Sequence, residues 1–161
     1  MIKNNTIKLL LAVLLTVSLG SLGGLITVSE IQGWYATLNK PSFNPPNWLF
    51  GPVWTSLYLL MGISFYLIWK QPISAQRNRA LWVFALQFLL NFCWSFIFFG
   101  LHAIGWAFIE MLLLWVFIIL TINQFSKLSR PAAWLLIPYI IWVSFALVLN
   151  AAIWRGNGKF L

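Results

Sequence analysis

Residues 40–69 read KPSFNPPNWLFGPVWTSLYLLMGISFYLIW. The second half, TSLYLLMGISFYLIW, carries no charged side chain. With the residues just before it, it is long enough to cross a bilayer as a helix, which takes about 20 residues for a hydrocarbon core of about 30 Å. The first half is of a different kind, with Pro41, Pro45, Pro46 and Pro52 interleaved with Trp48 and Trp54. Proline is tolerated at the start of a helix, where its missing N–H costs nothing. The stretch therefore reads as a stiff entry, with Pro46 able to take the first helical position and Pro52 tolerated in the first turns. A plain connector between two membrane helices needs none of this stiffness.

The composition around this stretch agrees with a membrane setting. The apolar types make up 61% of the 161 residues and charged residues 7%, where a soluble domain carries about 25%. So few charges cannot cover a water-facing surface. The net charge of +8 comes from ten Lys and Arg against Glu30 and Glu110. In a soluble protein that excess would point to nucleic acid. Here the basic residues lie mostly between apolar runs, as flanks facing anionic headgroups do, so no nucleic-acid partner is expected. The lone Cys93 excludes an intrachain disulfide.

Five apolar runs fit membrane helices, at residues 7–28, 46–69, 79–99, 104–123 and 131–154. They show no period-two polarity of the kind a barrel strand has. The expected fold is an all-α integral membrane protein, a single bundle of five transmembrane helices. The first run has the anatomy of a signal peptide, with SLGSLGG as a cleavage site, but its apolar character persists to Val28, and that length favours a retained helix. Lys3, Lys8, Lys70, Arg77, Arg79, Lys127 and Arg130 fall on one side, and Lys40, Arg155 and Lys159 on the other. The positive-inside rule then predicts the N-terminus inside and the C-terminus outside. The loop at residues 29–45 lies on the outer side, and connections of that length in compact proteins are usually lids or binding loops.

Polar groups within spans need partners, because lipid offers none. Gln87, Asn91, Trp94 and Phe98 share one helical face, as do Tyr139, Trp142, Ala146 and Asn150, and Trp54, Tyr58, Met61 and Phe65. Glu110 lies one turn beyond Trp106. Two readings stand for Gln87, Asn91 and Asn150: hydrogen bonds between helices, or the polar points of a cavity. Glu110 reads either as satisfied by Trp106, a hydroxyl or interfacial water, or as a candidate site. Trp34, Trp69, Trp82 and Trp154 lie near span ends and read as an interfacial belt; Trp48 fits either belt or cavity. Trp54, Trp94 and Trp142 sit deeper, on faces with polar or small groups. Such walls suit a flat, mostly apolar ligand such as a tetrapyrrole, a sterol or an aromatic drug.

Other chemistries find no support. One His and one Cys do not make a zinc site. His102, in a tight connection, reads as a polar cap rather than an axial haem ligand. No Gly-rich phosphate loop or nucleophile–base pair is recognisable by spacing. The small-residue pattern from Gly20 to Gly24 permits close helix contact, within the bundle or between subunits.

The block WYATLNKPSFNPPNWLFGPVWTSLYLLMG resembles the first loop and second helix of the tryptophan-rich sensory proteins, the family whose mammalian member is the translocator protein, or peripheral benzodiazepine receptor. NFCWSFIFFG, IGWAFIEMLLLW and PYIIWVSFALVLNAAIWRGN are similar to its third, fourth and fifth helices, in order. The resemblance covers residues 34–157. It implies a five-helix bundle, commonly a homodimer, whose first loop closes an intramembrane pocket for porphyrins of the protoporphyrin IX or haem type. It also implies binding of benzodiazepine-type drugs and, in animal members, cholesterol. By motif the pocket residues are Tyr35, Pro45, Trp54, Tyr58, Gln87, Asn91, Trp94, Trp106, Trp142, Ala146 and Asn150. Ala151 stands where animal members have a tyrosine of a proposed sterol pattern, which favours a bacterial-type member in a cell membrane and a porphyrin ligand.

Three functions follow as expectations. The first is a receptor, sensor or transporter for tetrapyrroles, with the ring between Trp54 and Trp142, Lys40 attracting propionates, and no obligatory cofactor. The second is light- and oxygen-dependent porphyrin degradation, in which excited porphyrin exchanges electrons with nearby indoles, Trp54 and Trp142 being the candidates. The third is a regulatory scaffold acting through a partner protein.

Overall fold

The structure, a computed structural model, describes residues 4–158; Lys3 and Lys159, counted above for orientation, lie outside that range. It is all-helical there: α1 Asn5–Ile31, α2 Phe50–Trp69, α3 Ala75–Ser95, α4 Ile104–Ser126, α5 Arg130–Trp134 and α6 Ile137–Asn157. Five helical stretches are long and apolar enough to cross a membrane: Asn5–Ile31, Asn47–Trp69, Ala75–Gly100, Ile104–Ser126 and Arg130–Asn157. The fold is the expected one, with three local departures, each with a physical cause.

The second span does not begin with Pro46 as a first helical residue. Pro46 is extended (φ −62°, ψ 142°) and precedes a 3₁₀ turn, Asn47–Leu49, which runs into α2. Its carbonyl accepts from Leu49 N at 3.0 Å, so the proline still stiffens the entry from just outside it. Pro52 falls in the first turn of α2, where no intrahelical N–H bond is lost.

The fifth span is broken rather than continuous. Pro138 removes the N–H that would reach back to Trp134, and its ring crowds that carbonyl. The chain turns through Leu135 and Leu136 before α6 begins. Leu136 N donates to Ala133 O at 3.1 Å instead of to Ala132 O. The Ala132 carbonyl is taken up from another helix, by Ser64 Oγ at 2.7 Å. A buried hydroxyl on α2 thus completes the backbone of the break, which is what a hydrocarbon setting demands.

The third span ends in a π turn, Phe96–Gly100, with Leu101 N donating to Phe96 O at 2.9 Å. In a regular helix successive side chains point about 100° apart. The wider turn lets Phe98 and Phe99 both stay buried, with ring centroids 4.8 Å apart.

His102 follows this turn with φ 55°, a left-handed conformation uncommon outside glycine. It is more than a cap. Its Nε2 lies 3.2 Å from Glu30 Oε2, and its ring stacks on Trp34 at 4.1 Å and 13°. Trp34 also meets Phe98 edge-on at 5.5 Å. Trp34 therefore joins the end of α1 to the α3–α4 connection.

α1 packs chiefly on α2, α3 on α4, and α4 also on α6. Met61, Ile118, Phe125 and Tyr139 are among the fully buried residues between them. Thr16 Oγ1 donates to Tyr58 O at 2.9 Å, and Trp115 Nε1 to Ser144 Oγ at 2.9 Å. These polar contacts bond one helix to another without a water-dependent driving force.

Candidate functional site

The loop between α1 and α2 folds over one end of the bundle. Its 3₁₀ turn, Trp34–Thr37, buries Tyr35. The Tyr35 hydroxyl donates to Asn44 Oδ1 at 2.6 Å. Lys40 Nζ donates to the carbonyls of Tyr35 (2.8 Å) and Ala36 (3.2 Å) and lies 5.0 Å over the Tyr35 ring. Lys40 thus clasps the loop, where the sequence suggested a cation at the rim for propionates. The far side of the loop is tied to the end of α6. Asn39 N donates to Asn157 Oδ1 and Asn157 Nδ2 to Asn39 O, both at 3.0 Å.

Burial pushes the Tyr35 phenol up to about 12 from 10. The neutral phenol is the form the folded loop holds. Its contribution to stability is therefore complete below pH 10, shrinks above it, and is lost as the pH passes about 12. In an alkaline absorbance titration, subtracting Tyr35→Phe from the parent should leave one phenolate appearing near pH 12. A difference midpoint near 10 would mean the loop leaves Tyr35 in water.

Beneath the loop lies a cavity of about 620 Å³, well within the range of about 300–1,000 Å³ typical of small-molecule sites. Its walls come from α1, the start of α2, the end of α3 and α6. Of the residues singled out in the sequence, Tyr35, Trp54, Tyr58, Trp94, Trp142, Ala146 and Asn150 line it. Trp54 stacks on Tyr58 at 5.5 Å, Trp94 stacks on Phe98 at 5.1 Å, and Trp142 packs edge-on against Phe50 at 6.2 Å.

The other four are placed elsewhere. Asn91 sits one layer behind the wall, accepting from Tyr58 OH at 3.0 Å. Gln87, one turn further along α3, is fully buried outside the lining. Pro45 belongs to the loop, its carbonyl accepting from Asn44 Nδ2 at 3.0 Å. Trp106 is half exposed on α4 and away from the lining.

The sequence reading missed other parts of the wall. Phe50, Phe99 and Leu149 line the cavity, as do Gly20, Ser21, Gly24, Leu25 and Thr27 of α1, while Phe98, on the face shared with Trp94, lines it too. The small residues of α1 are visible in the sequence, where the pattern signals only a close helix contact. They serve both ends, since Gly20 packs against the Tyr58 ring while Gly24 opens on the cavity. The π turn that turns Phe99 inward has no signal in sequence periodicity.

Three buried polar atoms of lining residues have no hydrogen-bond partner among the described residues: Trp94 Nε1, Trp142 Nε1 and Asn150 Oδ1. The Asn150 amide is otherwise held, its Nδ2 donating to Ile104 O at 3.3 Å. Unpaired buried polar atoms are costly. These three belong to side chains that line the aromatic chamber, and a few polar groups of this kind are how a cavity orients a ligand.

The TspO/MBR family model matches residues 12–155. The chain is 40% identical to "Tryptophan-rich protein TspO" of Chlorobaculum tepidum over 94% of this chain and 96% of that one. It is 41% identical to the protein of the same name in Archaeoglobus fulgidus, over 95% and 99%. It is also 40% identical to "Translocator protein" of Ovis aries, over 84% and 83%. With its five apolar membrane-length helices and the loop-capped chamber among them, the chain is a multi-pass integral membrane protein that belongs to the TspO/MBR family.

Proposed function

We propose that the cavity binds tetrapyrroles of the protoporphyrin type, and that the protein acts as a membrane sensor or transporter for them. The loop lies on the outer side and the N-terminus inside. The observation that carries this reading is the aromatic chamber with its unpaired donors and acceptor. The macrocycle would lie against Trp54 and Trp142. Its carboxylates would accept from indole N–H groups, and a pyrrole N–H would donate to Asn150 Oδ1. Flat benzodiazepine-type aromatics would compete for the same walls.

The test is a titration of intrinsic tryptophan fluorescence with protoporphyrin IX, which should quench saturably. Trp142→Ala and Trp54→Ala each remove one wall, worth roughly 2 kcal/mol of contact and stacking. Each should therefore weaken binding on the order of 30-fold, while Trp82→Phe, on the lipid face, should not. Unchanged titrations for both alanine variants would remove the ligand from this cavity.

A further inference from the structure

α1 and α2 touch closely over only part of their length. A Cβ on Gly62 would stand 2.7 Å from Val13 Cα and 2.6 Å from Thr16 Oγ1. A Cβ on Gly20 would fall into the Tyr58 ring. This antiparallel register, continued by one turn, sets Gly24 across from Trp54, and by two turns Thr27 across from Gly51. There the contact ends. Nothing lies within 4 Å of a Cβ placed on Gly24 or on Gly51, and both line the cavity.

The two helices therefore splay into a wedge, and the cavity reaches the outside through it. Rim residues are lining and exposed at once: Leu25 is 67% and Trp48 71% exposed. Exposed Gln32 and Asn47 mark the upper edge of the wedge, at the loop end, and it reaches well below them. Gly24 lies seven residues before the end of α1, about 10 Å down the helix at 1.5 Å per residue. The outer faces beside it are apolar, with Leu22, Leu25 and Val28 exposed. The loop above is closed by the Asn39–Asn157 pair, the Tyr35–Asn44 bond and the Lys40 clasp.

We infer that the cavity exchanges its ligand sideways with the lipid leaflet on the loop side, through the α1–α2 wedge rimmed by Trp48, and not through the loop. The inference rests on the tetrapyrrole reading above. It specifies a ligand dissolved in the membrane, its ring among acyl chains and its carboxylates at the headgroups. Such a molecule meets the wedge edge-on at the depth where the cavity is open.

A blocked route and a damaged site differ in kinetics. Loss of contacts speeds dissociation, whereas a plugged route slows both entry and exit. The experiment uses the full chain in phosphatidylcholine nanodiscs, with protoporphyrin IX as probe and stopped-flow tryptophan quenching as readout. Gly51→Leu and Gly24→Leu place a side chain in open space at the wedge, so the fold tolerates them. Each should slow association at least tenfold and slow dissociation with it. In a Cys93→Ser background, Asn39→Cys with Asn157→Cys, joined by a short thiol cross-linker, fastens the loop. Its rates should stay within twofold of the uncross-linked protein. Quenching that remains saturable but is blocked by the loop cross-link, with Gly51→Leu as fast as the parent, overturns the route alone. Absence of saturable quenching in the parent overturns the ligand reading and the route with it.

Discussion

Gly62→Leu is expected to abolish the stable bundle, and Gly62→Ala to weaken it by roughly 2–3 kcal/mol, as overpacking of a close contact does. The reason lies in what a Cβ would meet. One neighbour is Val13 Cα, a backbone atom that cannot rotate away; another is the Thr16 hydroxyl, already committed to the Tyr58 carbonyl. Moving either separates α1 from α2 along the seam where Ala12 and Thr16 are buried. Close approach at small residues is a main source of helix affinity in lipid, where apolar burial supplies little. Gly24→Ala makes the contrast within the same helix pair. Its Cβ meets nothing within 4 Å, and alanine exceeds glycine by about 1 kcal/mol in helix propensity. It should therefore be neutral or stabilising. Thermal unfolding in one detergent, read by loss of the monodisperse peak, separates the two. Equal losses for Gly62→Ala and Gly24→Ala would mean the seam is not where the helices hold each other.

These two glycines also show where sequence reading stops. The small-residue pattern in α1 was legible, and so were all five spans, because hydrophobic length is a property of the chain alone. Which glycine receives a neighbour and which faces open space depends on where two helices cross and then part. The same limit explains Gln87 and Asn91. Periodicity puts them on one face of α3 with Trp94, and the bundle buries both. The pattern carries no information on depth, and the Tyr58 side chain, reaching over to Asn91, closes the wall in front of them. Pro138 was in plain view, but a break at its position becomes tolerable only because Ser64 on α2 caps the Ala132 carbonyl. The π turn at Phe96–Gly100 and the Glu30–His102–Trp34 contact are set by tertiary packing across three segments. No local pattern announces them.

Ala146→Phe is expected to reduce protoporphyrin binding by more than about 100-fold while leaving the fold at least as stable. Ala146 lies on α6 one turn from Trp142 and one turn from Asn150, and all three line the cavity. Alanine there leaves the space between an indole and an amide that a ring must enter. A phenyl group at that point occupies this space and covers the Asn150 acceptor. A ligand would have to give up both the stacking surface and the hydrogen bond, together worth roughly 3 kcal/mol or more. Stability moves the other way. The added ring goes into existing space rather than into a packed core, and filling a cavity commonly adds about 0.5–2 kcal/mol. Loss of binding with retained or raised thermal stability is a signature that misfolding cannot imitate. Val148→Phe supplies the control, because Val148 is exposed on the lipid side of the same helix and should leave both quantities unchanged. If Ala146→Phe instead binds protoporphyrin as the parent does, the macrocycle does not use this chamber. The aromatic walls would then have to be explained as packing alone, although two indole N–H groups and an amide oxygen among them have no partner within the described residues.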